Sequence, residues 1–170
     1  MAQRADEIFD VVNEQDEVTG WNYRGEVHRL GLRHRAVHVL VFNQAGEVFL
    51  QQRSMKKDTH PGAWDSSSSG HLDRGEDYDT CAVREVGEEI GLILPQPPVR
   101  LFKIAACEAT GQEFVWVYRA ESEGPFVLHP EEIQAGGWFA REAVGRWMTE
   151  KPEDFAPAFR LIWHQLNFRE

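Results

Sequence analysis

The sequence predicts an α/β fold in which a mixed β-sheet lies between helices, an α/β/α sandwich. Short apolar and β-branched runs separated by turn residues recur along the chain and predict strands. An amphipathic segment at residues 77–90 and two more near the C-terminus predict helices. A length of 170 residues suits a single domain, which we expect to span residues 1–170.

The predicted strands come mostly in pairs joined by turns. Three pairs are expected: residues 8–13 with 18–21, 36–42 with 48–50, and 101–107 with 113–120. Further extended segments are expected at 64–69 and 136–139. Pro95, Pro97 and Pro98 exclude regular structure between residues 94 and 98.

The helix predicted at residues 77–90 carries its own start and stop signals. Asp77 can cap its N-terminus, and Gly91 can take the left-handed conformation that follows a helix end. Val83, Val86 and Ile90 fall at i, i+3 and i+7, so they line one face toward a core. Two further helices are expected at residues 141–149 and 155–166.

Composition restricts the partners that this chain can bind. The net charge is −10 and the pI is near 5.2, so no broad basic face is available to hold a nucleic-acid backbone. No run approaches the roughly 18 apolar residues of a membrane span. Cys81 and Cys107 fit neither a disulfide framework nor a zinc motif, and we expect a cytoplasmic protein.

A carboxylate cluster opposes the apolar face of this helix. Glu85, Glu88 and Glu89 fall at i, i+3 and i+4 and share one arc of the surface. A solvated acidic face is the general alternative for such a pattern. Clustered carboxylates also suit hard cations such as Mg²⁺, which an acidic protein needs in order to hold phosphates.

The residues around the cluster favour the cation site. Gly70 and Gly75 bracket the loop that leads into the helix, and Gly87 keeps one helical position small at an expected packing contact. Arg84 is in register to pair with Glu76 and so to fix the loop against the helix.

Residues 70–92 resemble the Nudix box at every defined position of that motif. The matching residues are Gly70, Glu76, Arg84, Glu85, Val86, Glu88, Glu89, Gly91 and Leu92. The resemblance implies the Nudix fold over nearly the whole chain. It also implies hydrolysis of a small-molecule diphosphate, typically a nucleoside diphosphate linked to another group, with Mg²⁺ or Mn²⁺.

The resemblance implies a role for each matching residue. Glu85, Glu88 and Glu89 correspond to metal ligands, with the Gly70 carbonyl as a further ligand. Glu76 and Arg84 correspond to the pair that orients them, and Glu88 or Glu89 is the expected base. Glu113, outside the box, resembles an acidic residue that completes the metal site or serves as the base; a solvent-exposed carboxylate is the alternative.

The N-terminal half is similar to the branch that contains type 1 isopentenyl diphosphate isomerase. That isomerase uses a cysteine before the Gly-His of its box and a histidine-rich metal site. Here Gly70-His71 is present and His28 fits one histidine ligand, while Arg35, with His34 beside it, stands near a second. Ser69 replaces the cysteine and the box is intact, so isomerase activity is disfavoured.

Three alternatives remain open from the sequence. Arg53, Lys56 and Lys57 form a basic cluster that can hold a distal phosphate of the substrate or lie on a solvated loop. A domain that binds its ligand without turnover is the competing function, although such domains usually lose box carboxylates and none is lost here. A homodimer is a reasonable expectation.

Overall fold

The computed structural model describes residues 5–169. Nine strands, four α-helices and one 3₁₀ turn occur in this part of the chain: β1 Ile8–Val12, β2 Val18–Tyr23, α1 Arg24–Leu30, β3 His34–Phe42, β4 Val48–Arg53, β5 Trp64–Asp65, β6 Ser68–His71, α2 Tyr78–Ile90, β7 Val99–Ile104, β8 Glu113–Glu121, β9 Ile133–Phe139, α3 Arg141–Glu150, the 3₁₀ turn Pro152–Asp154 and α4 Pro157–Arg169.

The main sheet is mixed and is organised around β3. This strand runs parallel to β8 over its full length and antiparallel to β4 and β6. The order β5-β4-β3-β8-β7 forms the body of the sheet, β6 also pairs with β3, and β9 pairs with β4. The hairpin of β1 and β2 forms a separate two-stranded sheet.

Apolar side chains cover both faces of the main sheet. Alternate residues of β3 divide between them: Val37, Val39 and Val41 pack with helix α2, whereas Leu40 and Phe42 pack with α3 and α4. The predicted α/β/α sandwich is therefore confirmed. No helix within residues 5–169 combines the length and apolarity that a membrane crossing requires.

Helix α2 has the predicted ends but a shifted apolar face. The Asp77 carboxylate accepts a hydrogen bond from the Thr80 amide, and Gly91 has φ 70°. The fully buried apolar residues are Cys81, Ala82, Val86 and Ile90, while Val83 is only partly buried. The expected packing contact at Gly87 was also wrong, since a Cβ atom at this position would have only the Leu92 carbonyl within 4 Å.

Other boundaries also differ from the sequence prediction. Residues 64–69 were expected to be continuously extended but form two short strands. Strand β7, Val99–Ile104, starts two residues earlier and ends three residues earlier than the predicted segment 101–107. Helix α1 was not predicted, because it has seven residues, contains Gly25 and lacks a side-chain cap.

Asp16 attaches the N-terminal hairpin to the body of the protein. Its carboxylate, almost fully buried, accepts hydrogen bonds from Arg35 and from the Tyr78 hydroxyl, both at 2.7 Å, and from Lys103. Burial raises the pKa of Asp16, but these three donors outweigh it and lower the pKa overall. The carboxylate thus stabilises the fold in its charged form.

We expect Asp16→Asn to lower the free energy of unfolding by about 2 kcal/mol, less than the roughly 3–5 kcal/mol for a fully buried pair because Lys103 is partly exposed. Asn tolerates the positive φ of Asp16, 61°, so backbone strain is not added. Since the folded pKa is depressed, the difference from wild type should be complete at pH 7 and smaller at about pH 3, because it is lost as the pH falls from about 4 through the folded pKa. Urea unfolding at both pH values measures it, with exposed Glu17→Gln as the control; equal effects of the two substitutions would contradict this role.

Candidate active site

One cavity of about 310 Å³ lies at the end of α2, against the face of the main sheet that carries Ala36 and His38. Strand β6 supplies Ser69, Gly70 and His71 to its wall, and the loop between β4 and β5 supplies Lys57. All three predicted metal-binding glutamates of α2 line this cavity, as does Glu113 at the start of β8.

Glu89 is buried and held in place by β6. Its Oε1 atom accepts hydrogen bonds from the Ser68 hydroxyl and the Ser69 amide, both at 2.7 Å. Only 3% of the residue is exposed, which excludes a solvated acidic face at this position. Burial raises the pKa of Glu89, so a nearby cation would stabilise its charged form.

Glu85 lies directly against Gly70. A Cβ atom at position 70 would approach the Glu85 Cδ to 2.1 Å, so only glycine leaves room for the carboxylate. Burial and the neighbouring Glu89 raise the pKa of Glu85 well above its usual value. The first glycine of the box thus has a steric function.

Arg84 connects the loop to the carboxylate cluster. Its guanidinium donates two hydrogen bonds to Glu76, both at 2.8 Å, and further bonds to Glu85 at 2.9 Å and Glu88 at 3.3 Å. The hydrogen bonds with Glu76 are the largest of the effects that raise the pKa of Arg84. This geometry is what an orienting pair requires.

The glutamate cluster fits a hard divalent cation. One arginine faces four carboxylates here, and two of the cavity-lining glutamates, Glu85 and Glu89, are desolvated. Clustered carboxylate oxygens with this excess negative charge are the ligand type that Mg²⁺ and Mn²⁺ bind.

A second group of candidate ligands lies in the same region. His28, His34, His71 and Glu113 each offer one ligand atom, and these atoms all lie within 4.8 Å of one another. His34 comes from β3, His71 from β6 and Glu113 from β8, which are neighbouring strands in register. Three imidazoles and a carboxylate suit Zn²⁺ or Mn²⁺ better than Mg²⁺.

His34 carries the clearest sign of a cation in this group. Its Nδ1 lies 2.8 Å from the Leu32 carbonyl, which can only accept, so in the neutral ring Nδ1 holds the proton and Nε2 holds a lone pair. Nε2 is buried without a hydrogen-bond partner and points at the Glu113 carboxylate 3.5 Å away. Two facing lone-pair atoms repel each other unless a cation lies between them.

A hydrogen bond joins His71 to Glu113 within this group. His71 Nε2 donates to Glu113 at 2.7 Å, and burial lowers the pKa of His71 to about 3, so the ring is neutral. Burial opposes the charge of Glu113, but the facing His71 ring, which donates a hydrogen bond to it, holds its pKa well below the usual value. Glu113 is therefore an anion inside the cavity rather than a solvent-exposed carboxylate.

The structure corrects the reading of Arg35 as the residue near a second histidine ligand. Successive side chains of a strand point to opposite faces, so Arg35 turns away from the group and binds Asp16. His34 takes that place. Side chains alternate along a strand, so the pattern His34-x-Ala36-x-His38 indicates that His34 shares a face with Ala36 and His38. This pattern could have identified His34 from the sequence.

We expect His34→Gln to weaken the binding of a transition metal. The wild-type protein should keep close to one equivalent of Zn²⁺ or Mn²⁺ through dialysis, whereas loss of one ligand should weaken binding by at least about tenfold. Elemental analysis by mass spectrometry measures this, and His164→Ala, an exposed position on α4, is the matched control. Equal metal content in both variants would contradict a site at His34.

The predicted basic residues divide between the cavity and the surface. Arg53 is nearly buried; it donates to the Thr59 carbonyl at 2.8 Å and faces Asp65 at 3.4 Å. Lys57 is paired with Glu132, and its side chain is only 8% exposed, so a solvated loop is excluded for both residues. Lys56 is exposed and pairs with Glu131 instead.

Comparison with known proteins shows which family this chain resembles. A family model described as NUDIX domain matches residues 32–161. An uncharacterized Nudix hydrolase of Yersinia pestis is 33% identical over 154 residues, covering 89% of this chain and 80% of that protein. An isopentenyl-diphosphate Delta-isomerase of Serratia proteamaculans is 30% identical over 168 residues, which cover 97% of this chain and 94% of that protein. The crystal structure of DR0079 from Deinococcus radiodurans has a TM-score of 0.74 and 28% identity to this chain. The match covers 85% of this chain and 90% of that chain.

Proposed function

This chain belongs to the Nudix hydrolase family, and we propose that it hydrolyses the pyrophosphate bond of a small diphosphate metabolite with Mg²⁺ or Mn²⁺ as cofactor. The observation that supports this most is the convergence of the box carboxylates on one cavity. Glu85, Glu88 and Glu89 all line it, and Glu76 and Arg84 fix their orientation. A non-catalytic binding domain has no need of this intact and desolvated cluster.

In the proposed reaction, water attacks one phosphorus and the bond from that phosphorus to the bridging oxygen breaks. A terminal diphosphate then gives a monophosphate and inorganic phosphate, and a diphosphate substituted at both ends gives two monophosphates. A divalent cation, when bound, neutralises the diphosphate oxygens and lowers the pKa of water. Glu88, Glu89 and Glu113 are the candidate acceptors of the water proton. Glu89 is engaged through Oε1 alone, so its other oxygen has no protein hydrogen bond within residues 5–169.

The test is metal-dependent turnover of a panel of diphosphate compounds. The panel contains nucleoside diphosphates, sugar diphosphates and alkyl diphosphates, and the products are identified by ³¹P NMR. We expect release of monophosphates that requires Mg²⁺ or Mn²⁺ and stops with a chelator. Binding of these compounds with no turnover under any divalent cation would instead support a sensing domain.

A second candidate function is isomerisation of isopentenyl diphosphate. The similarity to the Serratia enzyme over nearly the full length and the group of His28, His34, His71 and Glu113 favour it. The resemblance places a catalytic cysteine where this chain has Ser69, which lines the cavity. A serine hydroxyl is a far weaker acid than a thiol and is poorly suited to protonate an alkene. Incubation with isopentenyl diphosphate, followed by analysis for the allylic isomer, separates the two functions.

A further inference from the structure

The wall of the cavity around His38 has polar groups that the hydrolytic scheme does not use. His38 lies four residues beyond His34 on β3, about 13 Å along the strand. It is 4% exposed and lines the cavity together with Arg53, Lys57 and Asp65. We call these four residues the distal wall, because they lie away from the group formed by the three histidines and Glu113.

His38 is held in one orientation. Its Nδ1 lies 2.8 Å from the Ser66 hydroxyl and 3.6 Å from the Asp65 carboxylate, and Asp65 is in turn fixed by the Ser66 amide at 2.7 Å. The other ring nitrogen, Nε2, has no hydrogen-bond partner within residues 5–169. Because His38 lines the cavity, Nε2 is the ring nitrogen that remains for contact with a bound molecule. A ring oriented in this way offers Nε2 to a bound molecule at little entropic cost.

The charges of the distal wall are already compensated. Arg53 faces Asp65 at 3.4 Å, and Lys57 is bonded to Glu132. A wall of paired donors and acceptors matches hydroxyl groups, which both donate and accept, better than a further phosphate, which needs unpaired cations. Arg53 and Lys57 are then substrate-binding residues for a neutral polar group.

The remaining lining restricts the size and type of this group. No Phe, Tyr or Trp, the larger rings on which nucleobases commonly stack, is among the described residues that line the cavity, and the rings found there are imidazoles. The α4 end of the cavity is lined by Ala156 and Ala158. The volume of about 310 Å³ lies near the lower limit of ligand pockets, roughly 300–1,000 Å³.

We propose that the substrate carries a compact, hydroxylated and non-aromatic group, a sugar or polyol, and that His38 determines this preference through Nε2. This inference rests on the proposed hydrolysis and specifies its substrate class. In this proposal His38 contacts the part of the substrate that does not react.

The experiment compares His38→Asn with His38→Gln on two substrates. An asparagine amide can keep the contact with Ser66 but cannot reach the position of Nε2, whereas a glutamine amide reaches it. The substrates are a hexose 1-diphosphate and methyl diphosphate, which has no hydroxylated group. We expect His38→Asn to raise KM for the hexose 1-diphosphate by at least tenfold, with kcat changed less than threefold, and to leave methyl diphosphate within twofold. His38→Gln should restore KM for the hexose 1-diphosphate to near the wild-type value.

Two results would overturn this inference. One is an equal loss on both substrates in the two variants, which indicates a purely structural histidine. The other is a wild-type preference for cytidine or uridine diphosphate over the hexose 1-diphosphate. Calorimetric binding of the same compounds with Mg²⁺ makes the comparison independent of turnover. If no compound is hydrolysed, the proposed hydrolysis fails, while the binding preference still decides the substrate class.

Discussion

Glu89→Gln should lower kcat by about 10²–10³-fold, the scale seen when one charge-stabilising group of an active site is removed. The amide of glutamine can still accept the hydrogen bonds from the Ser68 hydroxyl and the Ser69 amide through its oxygen. Its NH₂ group would then replace the carboxylate oxygen that has no protein partner within residues 5–169. The substitution thus removes the charge and retains the contacts that hold the side chain.

Stability should change in the opposite direction from activity. Burial raises the pKa of Glu89, so the charged carboxylate is costly in the absence of a cation. A neutral amide at this position should leave the Tm of the metal-free protein unchanged or higher. Loss of activity together with loss of stability would indicate misfolding rather than a missing ligand.

Steady-state kinetics, calorimetric titration with Mn²⁺ and thermal unfolding measure the three quantities. Glu150→Gln is the matched control, since Glu150 is exposed at the end of α3 and outside the cavity lining. Mn²⁺ affinity should fall in Glu89→Gln and stay constant in the control. Full activity in Glu89→Gln would remove the main support for the proposed hydrolysis.

The sequence predicted the elements whose signals are local. Helix α2 was predicted with both ends because Asp77 and Gly91 have side-chain and backbone properties that define helix ends. The hairpin of β3 and β4 was predicted from apolar runs around a Gly46 turn, where φ is 79°. These features depend on a few consecutive residues and so can be read without knowledge of the fold.

Other features depend on contacts between distant residues and were not predictable. His34 and Glu113 meet because β3 and β8 are parallel neighbours in one register, which no local pattern indicates. The pairing of Lys57 with Glu132 joins residues 75 positions apart. His38 lies among apolar residues in the sequence, and only its position in the sheet shows that it lines the cavity.

Gly70→Ala should inactivate the protein through Glu85 rather than through the backbone. Gly70 does not have a positive φ, so alanine is compatible with the strand conformation. The added methyl group would lie 2.1 Å from the Glu85 Cδ, and the carboxylate must move. Since Arg84 holds that carboxylate at 2.9 Å, its displacement also disturbs the orienting pair. We expect divalent-metal affinity and kcat to fall by about 10–100-fold each, as for other changes that misplace a metal ligand.

A double-mutant cycle separates this steric effect from a general loss of stability. Overpacking at Gly70 should cost about 1–3 kcal/mol in the wild-type background. In a Glu85→Ala background the clash has no partner, so Gly70→Ala should then cost almost nothing. Gly145→Ala is the control for glycine replacement as such: no atom lies within 4 Å of a Cβ there, and a helix interior should gain about 0.5–1 kcal/mol. If Gly70→Ala lowers the free energy of unfolding equally with and without Glu85, the glycine is needed for the strand itself. Its contact with Glu85 then contributes nothing to stability.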